Sequence, residues 1–181
     1  IINLIDNNKV NKYLPSLRDK AILLLGFSGG FRRSELVSLE KSDLEFVSEG
    51  LKITLRKSKS DQYGEGLVKG IPYFKNTKYC PVIAVQEWIS SSDKIGETKL
   101  FPCSDKTVAL IVKKYLGLIG MDSNQYSAHS LRSGFATSTA ASGADERSIM
   151  AMTGHKSTEM VRRYIKEANL FKNNALNKLN I

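Results

Sequence analysis

Ser127-Ala128-His129-Ser130-Leu131-Arg132, then Thr153-Gly154-His155-Lys156-Ser157 and Tyr164, define the stretch 127–164 on which the reading of this chain turns. Both histidines of the protein, His129 and His155, fall inside it. His129 and Arg132 are three residues apart, a spacing that makes them neighbours on one face of a helix. Gly154 closely followed by Ser157 predicts the end of one helix and the start of the next, the glycine as C-terminal cap and the serine as N-cap. Tyr164 then falls on the new helix. Two imidazoles, a guanidinium and a phenol gathered in a basic chain point to chemistry on a phosphate ester.

The bulk composition agrees with that direction. Lys plus Arg number 27 against 18 Asp plus Glu, a net charge of +9 and a sequence pI of about 9.5, which favours a polyanionic partner. Charge alone also fits a merely solvated surface, so the placement of the arginines has to decide. With 181 residues the chain is expected to form one domain that buries about 70% of its unfolded surface. Cys80 and Cys103 stand far apart in no metal-ligand spacing, so neither a zinc site nor a disulfide framework is expected, and a reducing, cytoplasmic setting is. The apolar run Ala21–Leu25 is far too short for a membrane span and no signal peptide opens the chain, so a soluble protein is expected. Ile1 stands where an initiator Met would, which leads to the expectation of a piece of something longer.

Working outward, residues 1–13 are polar and Asn-rich and are expected to be a linker or short leading helix rather than core. Pro15 and Ser16 open a helix with Leu17, Ala21, Leu24 and Leu25 on its apolar stripe, and Ser28-Gly29-Gly30 stops it. A second short helix follows, with Leu36 and Leu39 facing inward. Arg32 at its start opposes the helix dipole, so it either gains another partner or is solvated; Glu35 is within reach to hold it. Leu51–Leu55 and Leu67–Ile71 alternate as two strands of a hairpin, and 44–47 can add a third. The hairpin tip carries Lys57 and Lys59, both on the parity of Leu51, Ile53 and Leu55, and parity does not choose between them. Pro81 begins a helix with Trp88 as core anchor, Leu100-Phe101-Pro102 is extended, and Ser104 or Asp105 caps a helix closed by Gly120. Asp145 caps a packing helix with Ile149 and Met150. The end of the chain, 165–181, is amphipathic and is expected either to fold back on its own core or to dock on a neighbouring subunit. The sum is a mainly α chain with a small antiparallel sheet, an α+β class.

Taken together, Gly30-Phe31-Arg32-Arg33-Ser34-Glu35-Leu36, His129-Ser130-Leu131-Arg132-Ser133-Gly134-Phe135-Ala136-Thr137, Thr153-Gly154-His155-Lys156-Ser157 and Tyr164 resemble, in order and spacing, the catalytic domain of the tyrosine recombinases, the phage integrase family. The resemblance covers roughly 14–165, leaving 166–181 as a tail helix that could be exchanged between subunits. It implies the tyrosine recombinase catalytic-domain fold, with Arg32 and Arg132 as the phosphate clamp and Tyr164 as nucleophile. It further implies that His129 and His155 assist, that Glu35 steadies Arg32, and that Lys59 is the β-hairpin lysine, with Lys57 its competitor. A site-specific DNA recombinase or integrase is implied, of a phage, a mobile element or a chromosome-resolving system, working on double-stranded DNA as a homotetramer, though a fragment can be monomeric when free. The N-terminal DNA-clasping domain usual in the family is not among these residues.

The residue types suit that reaction. A free tyrosine, with pKa near 10, is ionised in only about one molecule in a thousand at pH 7 and needs help to attack phosphorus. Two guanidiniums and a histidine can neutralise the charge that builds on the phosphate oxygens, each donor lowering the barrier by about 3 to 4 kcal/mol. An ammonium whose pKa is drawn down can protonate the leaving 5′ oxygen. No carboxylate cluster is placed to hold a pair of Mg²⁺ ions, so metal-free, cofactor-free chemistry is expected, and the covalent phosphotyrosyl link makes ATP unnecessary. Rival readings are a type IB topoisomerase that relaxes supercoils with the same chemistry, and a non-catalytic DNA-binding module of the same fold.

Overall fold

The chain is described by a computed structural model that covers residues 1–7, 14–56, 66–92, 96–127, 129–155, 157–171 and 175–179. Helix α1 is Ile2–Asn7, α2 Leu14–Ser28 and α3 Arg33–Ser38. Strands β1 (Leu44–Val47), β2 (Gly50–Leu55) and β3 (Leu67–Pro72) form one antiparallel sheet in sequence order. The remaining helices are α4 (Pro81–Ser92), α5 (Asp105–Leu118), α6 (Ser130–Ala141), α7 (Glu146–Thr153) and α8 (Thr158–Asn169). None of the described helices is long and apolar enough to cross a membrane.

The apolar run of α2 makes it the central helix, because a helix that is hydrophobic on several sides must be covered on several sides. Ala21, Ile22 and Leu25 are fully buried, and α2 packs against α4, α6, α3 and α5. Asp19 on this helix is buried yet satisfied: it takes ion pairs from Arg18 at 2.9 Å and Lys114 at 3.3 Å and the Tyr115 hydroxyl at 3.2 Å. Those bonds tie α2 to α5 and remove the cost of a lone buried carboxylate. Trp88 anchors α4 as expected, donating its Nε1–H to Leu100 O at 2.7 Å and stacking on Phe101. The leading segment differs from the polar reading, since Ile5 on α1 is buried in the main core.

A second, smaller core of Ala136, Ala140, Ile149 and Val161 holds α6, α7 and α8 together, with Tyr164 and Ile165 against it. The caps are those that the sequence predicts: Ser104 on α5, Asp145 on α7, Gly154 in the left-handed conformation after α7, and Ser157 on α8. Beyond α8 the outcome is different from one continuous tail helix. The helix ends at Asn169, a separate turn of 3-10 helix spans Ala175–Lys178, and Leu170, Phe171, Leu176 and Leu179 are exposed rather than folded back.

Candidate active site

The site lies on the seam between the two cores. From the main core comes the turn after α2, where Gly30 adopts φ 55 and so reverses the chain within one residue. A larger residue would have to push its neighbours aside, since a Cβ on Gly30 would come within 3.1 Å of both Phe135 and Thr153. Arg32 follows at the N-cap of α3. The unfavourable dipole is answered as the sequence suggests: buried Glu35 accepts the Arg32 main-chain N–H at 2.9 Å on one oxygen and Nη1 at 2.6 Å on the other. One carboxylate thereby fixes both the start of the helix and the fork of its arginine.

From the second core comes Arg132, on the first turn of α6 and buried. Its Nη1 donates to Gly30 O at 2.9 Å, and Arg32 Nη2 reaches Gly154 O at 3.4 Å in the opposite direction. Each guanidinium is thus braced on the turn of the other core. Burial, and then the positive charge of Arg32, bring Arg132 down to about 10, with Glu35 and Tyr164 pulling the other way, so it remains a cation at neutral pH. Two guanidiniums held this near to one another, one of them desolvated, make a pocket suited to an oxyanion.

His155 follows the Gly154 cap. Burial, then Arg132 and Arg32, hold its pKa down at about 4, so the ring is neutral at pH 7. Its Nδ1 is 2.7 Å from the hydroxyl of Thr153, which is itself 2.7 Å from Ile149 O. A hydroxyl has one proton; given to the carbonyl, it leaves the oxygen only as acceptor, so the imidazole carries its proton on Nδ1 and a lone pair on Nε2. The ring centroid lies 6.3 Å from that of half-buried Tyr164 on α8. Arg32, Arg132, His155 and Tyr164 therefore come together. His129 sits just ahead of α6 as its N-cap residue, near-helical at φ −84 and ψ −9, and is exposed, one turn before buried Arg132. Lys57 and Lys59 lie outside the described residues.

One lysine that belongs to no motif of the sequence is at this site. Lys69 on β3 is 2% exposed and its Nζ donates to Gly29 O at 2.8 Å. The available signal was parity, because Lys69 alternates with Leu67 and Ile71 on the inward face of the strand. Thr153, the first residue of the Thr153–Ser157 motif, has no role legible in the sequence; its hydroxyl finds His155 only in the fold.

Residues 3–170 match the phage integrase family. An integrase/recombinase XerD homolog of Selenomonas ruminantium is 45% identical, over 92% of this chain and 52% of its own length. Tyrosine recombinase XerA of Pyrococcus horikoshii is 31% identical over 87% of this chain and 53% of its own. The chain spans about half the length of the curated relatives it matches. Among solved structures, that of XerA recombinase superposes with a TM-score of 0.70 at 20% identity, covering 95% of this chain and 60% of that one. XerH recombinase bound to its palindromic difH substrate, in a post-cleavage complex, superposes with a TM-score of 0.64 at 18% identity, covering 93% and 52%. These two likenesses carry the fold: a helical domain with a small three-stranded antiparallel sheet.

Proposed function

Since the chain belongs to the phage integrase family, we propose that it is the catalytic part of a site-specific recombinase that cuts and rejoins double-stranded DNA through a 3′-phosphotyrosyl link. The observation that carries this reading is the mutual bracing of Arg32 and Arg132 across the two cores, beside the paired rings of His155 and Tyr164. In the first step the Tyr164 oxygen attacks phosphorus, a new P–O bond forms to the phenol, and the P–O5′ bond breaks. The phenolic proton passes to a base; His155 Nε2, with its lone pair and neutral ring, is suited to take it, and exposed His129 assists at the phosphate. Arg32 and Arg132 stabilise the charge on the non-bridging oxygens, each such donor contributing about 3 to 4 kcal/mol to the barrier reduction. The hairpin lysine, Lys59 with Lys57 as the alternative, protonates the leaving 5′ oxygen. No metal, cofactor or ATP enters the scheme, because the phosphotyrosyl ester conserves the bond for rejoining.

The DNA partner is supported by the relatives solved with DNA and by the net charge of +9. Assembly as a homotetramer on DNA is supported by the apolar tail residues Leu170, Phe171, Leu176 and Leu179, whose exposure suits exchange onto a neighbouring copy. Off DNA the chain is a monomer, and its setting is the cytoplasm of a bacterium or of a phage-infected cell.

The test is incubation with nicked duplexes carrying candidate attachment sequences, in EDTA, followed by denaturing gels. A protein–DNA adduct that forms with the native chain and disappears in Tyr164→Phe is expected. Binding of the same duplexes with no adduct on any of them would replace this reading with a non-catalytic DNA-binding module. Relaxation of supercoiled plasmid without strand exchange would favour the topoisomerase reading.

A further inference from the structure

Lys69 is paired with Ile53 across β2 and β3, in a position whose neighbours on the same face are apolar. A methionine or leucine would fill that volume without bringing a charge out of water, so an ammonium there calls for a compensating role. Among the described residues its hydrogen bond and its ring contact both fall on one short turn. Nζ donates to Gly29 O at 2.8 Å and stands 4.3 Å from the centroid of the Phe31 ring. Between these two residues lies Gly30, whose carbonyl receives Arg132, and directly after them comes Arg32.

We propose that Lys69 is a positioning residue of the oxyanion clamp: from the sheet side it fixes the Gly29–Phe31 turn so that Arg32 and Arg132 converge on one phosphate, and it adds a buried positive charge beneath them. The nature of the oxyanion, a DNA phosphodiester, rests on the function proposed above; the clamp itself does not. The charged groups that face Lys69 are Glu35 and Arg32 around α3 and Arg132 on α6. Burial, then Arg132 and Arg32, lower its pKa to about 8 against the pull of Glu35, so its charge is lost just above neutral pH unless an anion retains it. Lys69 has a role different from that assigned to the hairpin lysine at the leaving group, since its Nζ is engaged by a main-chain carbonyl of the turn.

The probe is inorganic sulfate, titrated by calorimetry into the native chain, Lys69→Met and Lys69→Arg between pH 7 and pH 9, with adduct formation on a nicked duplex measured in parallel. The native chain is expected to bind sulfate about tenfold more weakly at pH 9 than at pH 7. Lys69→Met is expected to melt no lower than the native chain, to bind about tenfold more weakly at pH 7, and to show no such pH dependence; Lys69→Arg is expected to restore part of the affinity. Native-like sulfate affinity and pH profile in a folded Lys69→Met would overturn the proposal. So would a flat native profile, which needs no variant to fold. Sulfate results as expected with no adduct on any duplex would leave the clamp standing and reject the recombinase reading instead.

Discussion

Thr153 Oγ1 accepts a hydrogen bond from His155 Nδ1–H at 2.7 Å and donates its own hydroxyl hydrogen bond to Ile149 O, so a helix carbonyl fixes the tautomer of the histidine through one hydroxyl. Replacing Thr153 with Val keeps the volume and takes the acceptor from Nδ1–H of the half-buried imidazole, at a cost of up to about 1–3 kcal/mol. Adduct formation by Thr153→Val at pH 7 should be about tenfold slower or more, against the 10² to 10⁴ range typical of losing a general base altogether. Affinity for duplex DNA should be unchanged and Thr153→Ser should react like the native chain. A Val variant that reacts at the native rate would remove the hydroxyl from the mechanism.

His155 also sets a pH dependence of stability. Its unfolded imidazole takes up a proton near pH 6.5, whereas the folded one does so only near 4, because burial and the two arginines oppose the charge. Between those values the unfolded chain binds more protons, so this contribution to stability, complete above about pH 6.5, is lost as the pH falls towards 4. After allowance for partial exposure it is on the order of 1–3 kcal/mol. Urea unfolding at pH 7 and pH 4.5 should show a smaller difference for His155→Gln than for the native chain; equal differences would contradict the assignment.

Arg132→Ala should reduce adduct formation by at least about 100-fold, the scale of one lost transition-state donor, while weakening DNA binding far less. Most of the affinity for a duplex comes from many dispersed phosphate contacts, of which this is one. Gel shift and cleavage on the same nicked duplex measure both quantities, and equal losses would mean that Arg132 serves ground-state binding.

Gly30→Ala tests the turn on which the clamp is braced. An L-residue at φ 55 carries a backbone cost of about 1–2 kcal/mol, and the added Cβ would lie 3.1 Å from Phe135 and from Thr153. The variant should unfold at lower temperature and react more slowly, because Gly30 O is the acceptor for Arg132. A melting curve and rate both equal to native would show that the turn tolerates the side chain.

Much of the architecture was written locally. Gly154 and Ser157 end and restart a helix because a left-handed glycine and a capping hydroxyl act on their own backbone within a few residues. Leu51, Ile53 and Leu55 alternate inward for the same local reason, and Glu35 was expected beside Arg32 because three residues of helix bring them together. The polar run Asp6–Lys9 misled about Ile5, since Ile1, Ile2, Leu4 and Ile5 beside it carry no local sign of the groove that receives them.

The sequence by itself determined the caps of α5, α7 and α8, the alternation of β2 and β3, the pairing of Arg32 with Glu35 and, through ordered motifs, the family. Only the tertiary structure decided that Arg132 rests on Gly30, that Arg32 reaches Gly154, and that Lys69 rather than an apolar residue lies under that turn. The physical reason is range. Caps and strand parity act over a few residues of one backbone, but these contacts join residues 102, 122 and 40 positions apart: the first two exist only once the two cores have packed face to face, and the third only once β3 lies under the turn after α2. Parity could mark Lys69 as inward; what it would meet there was set by the helix turn that the fold lays across the sheet.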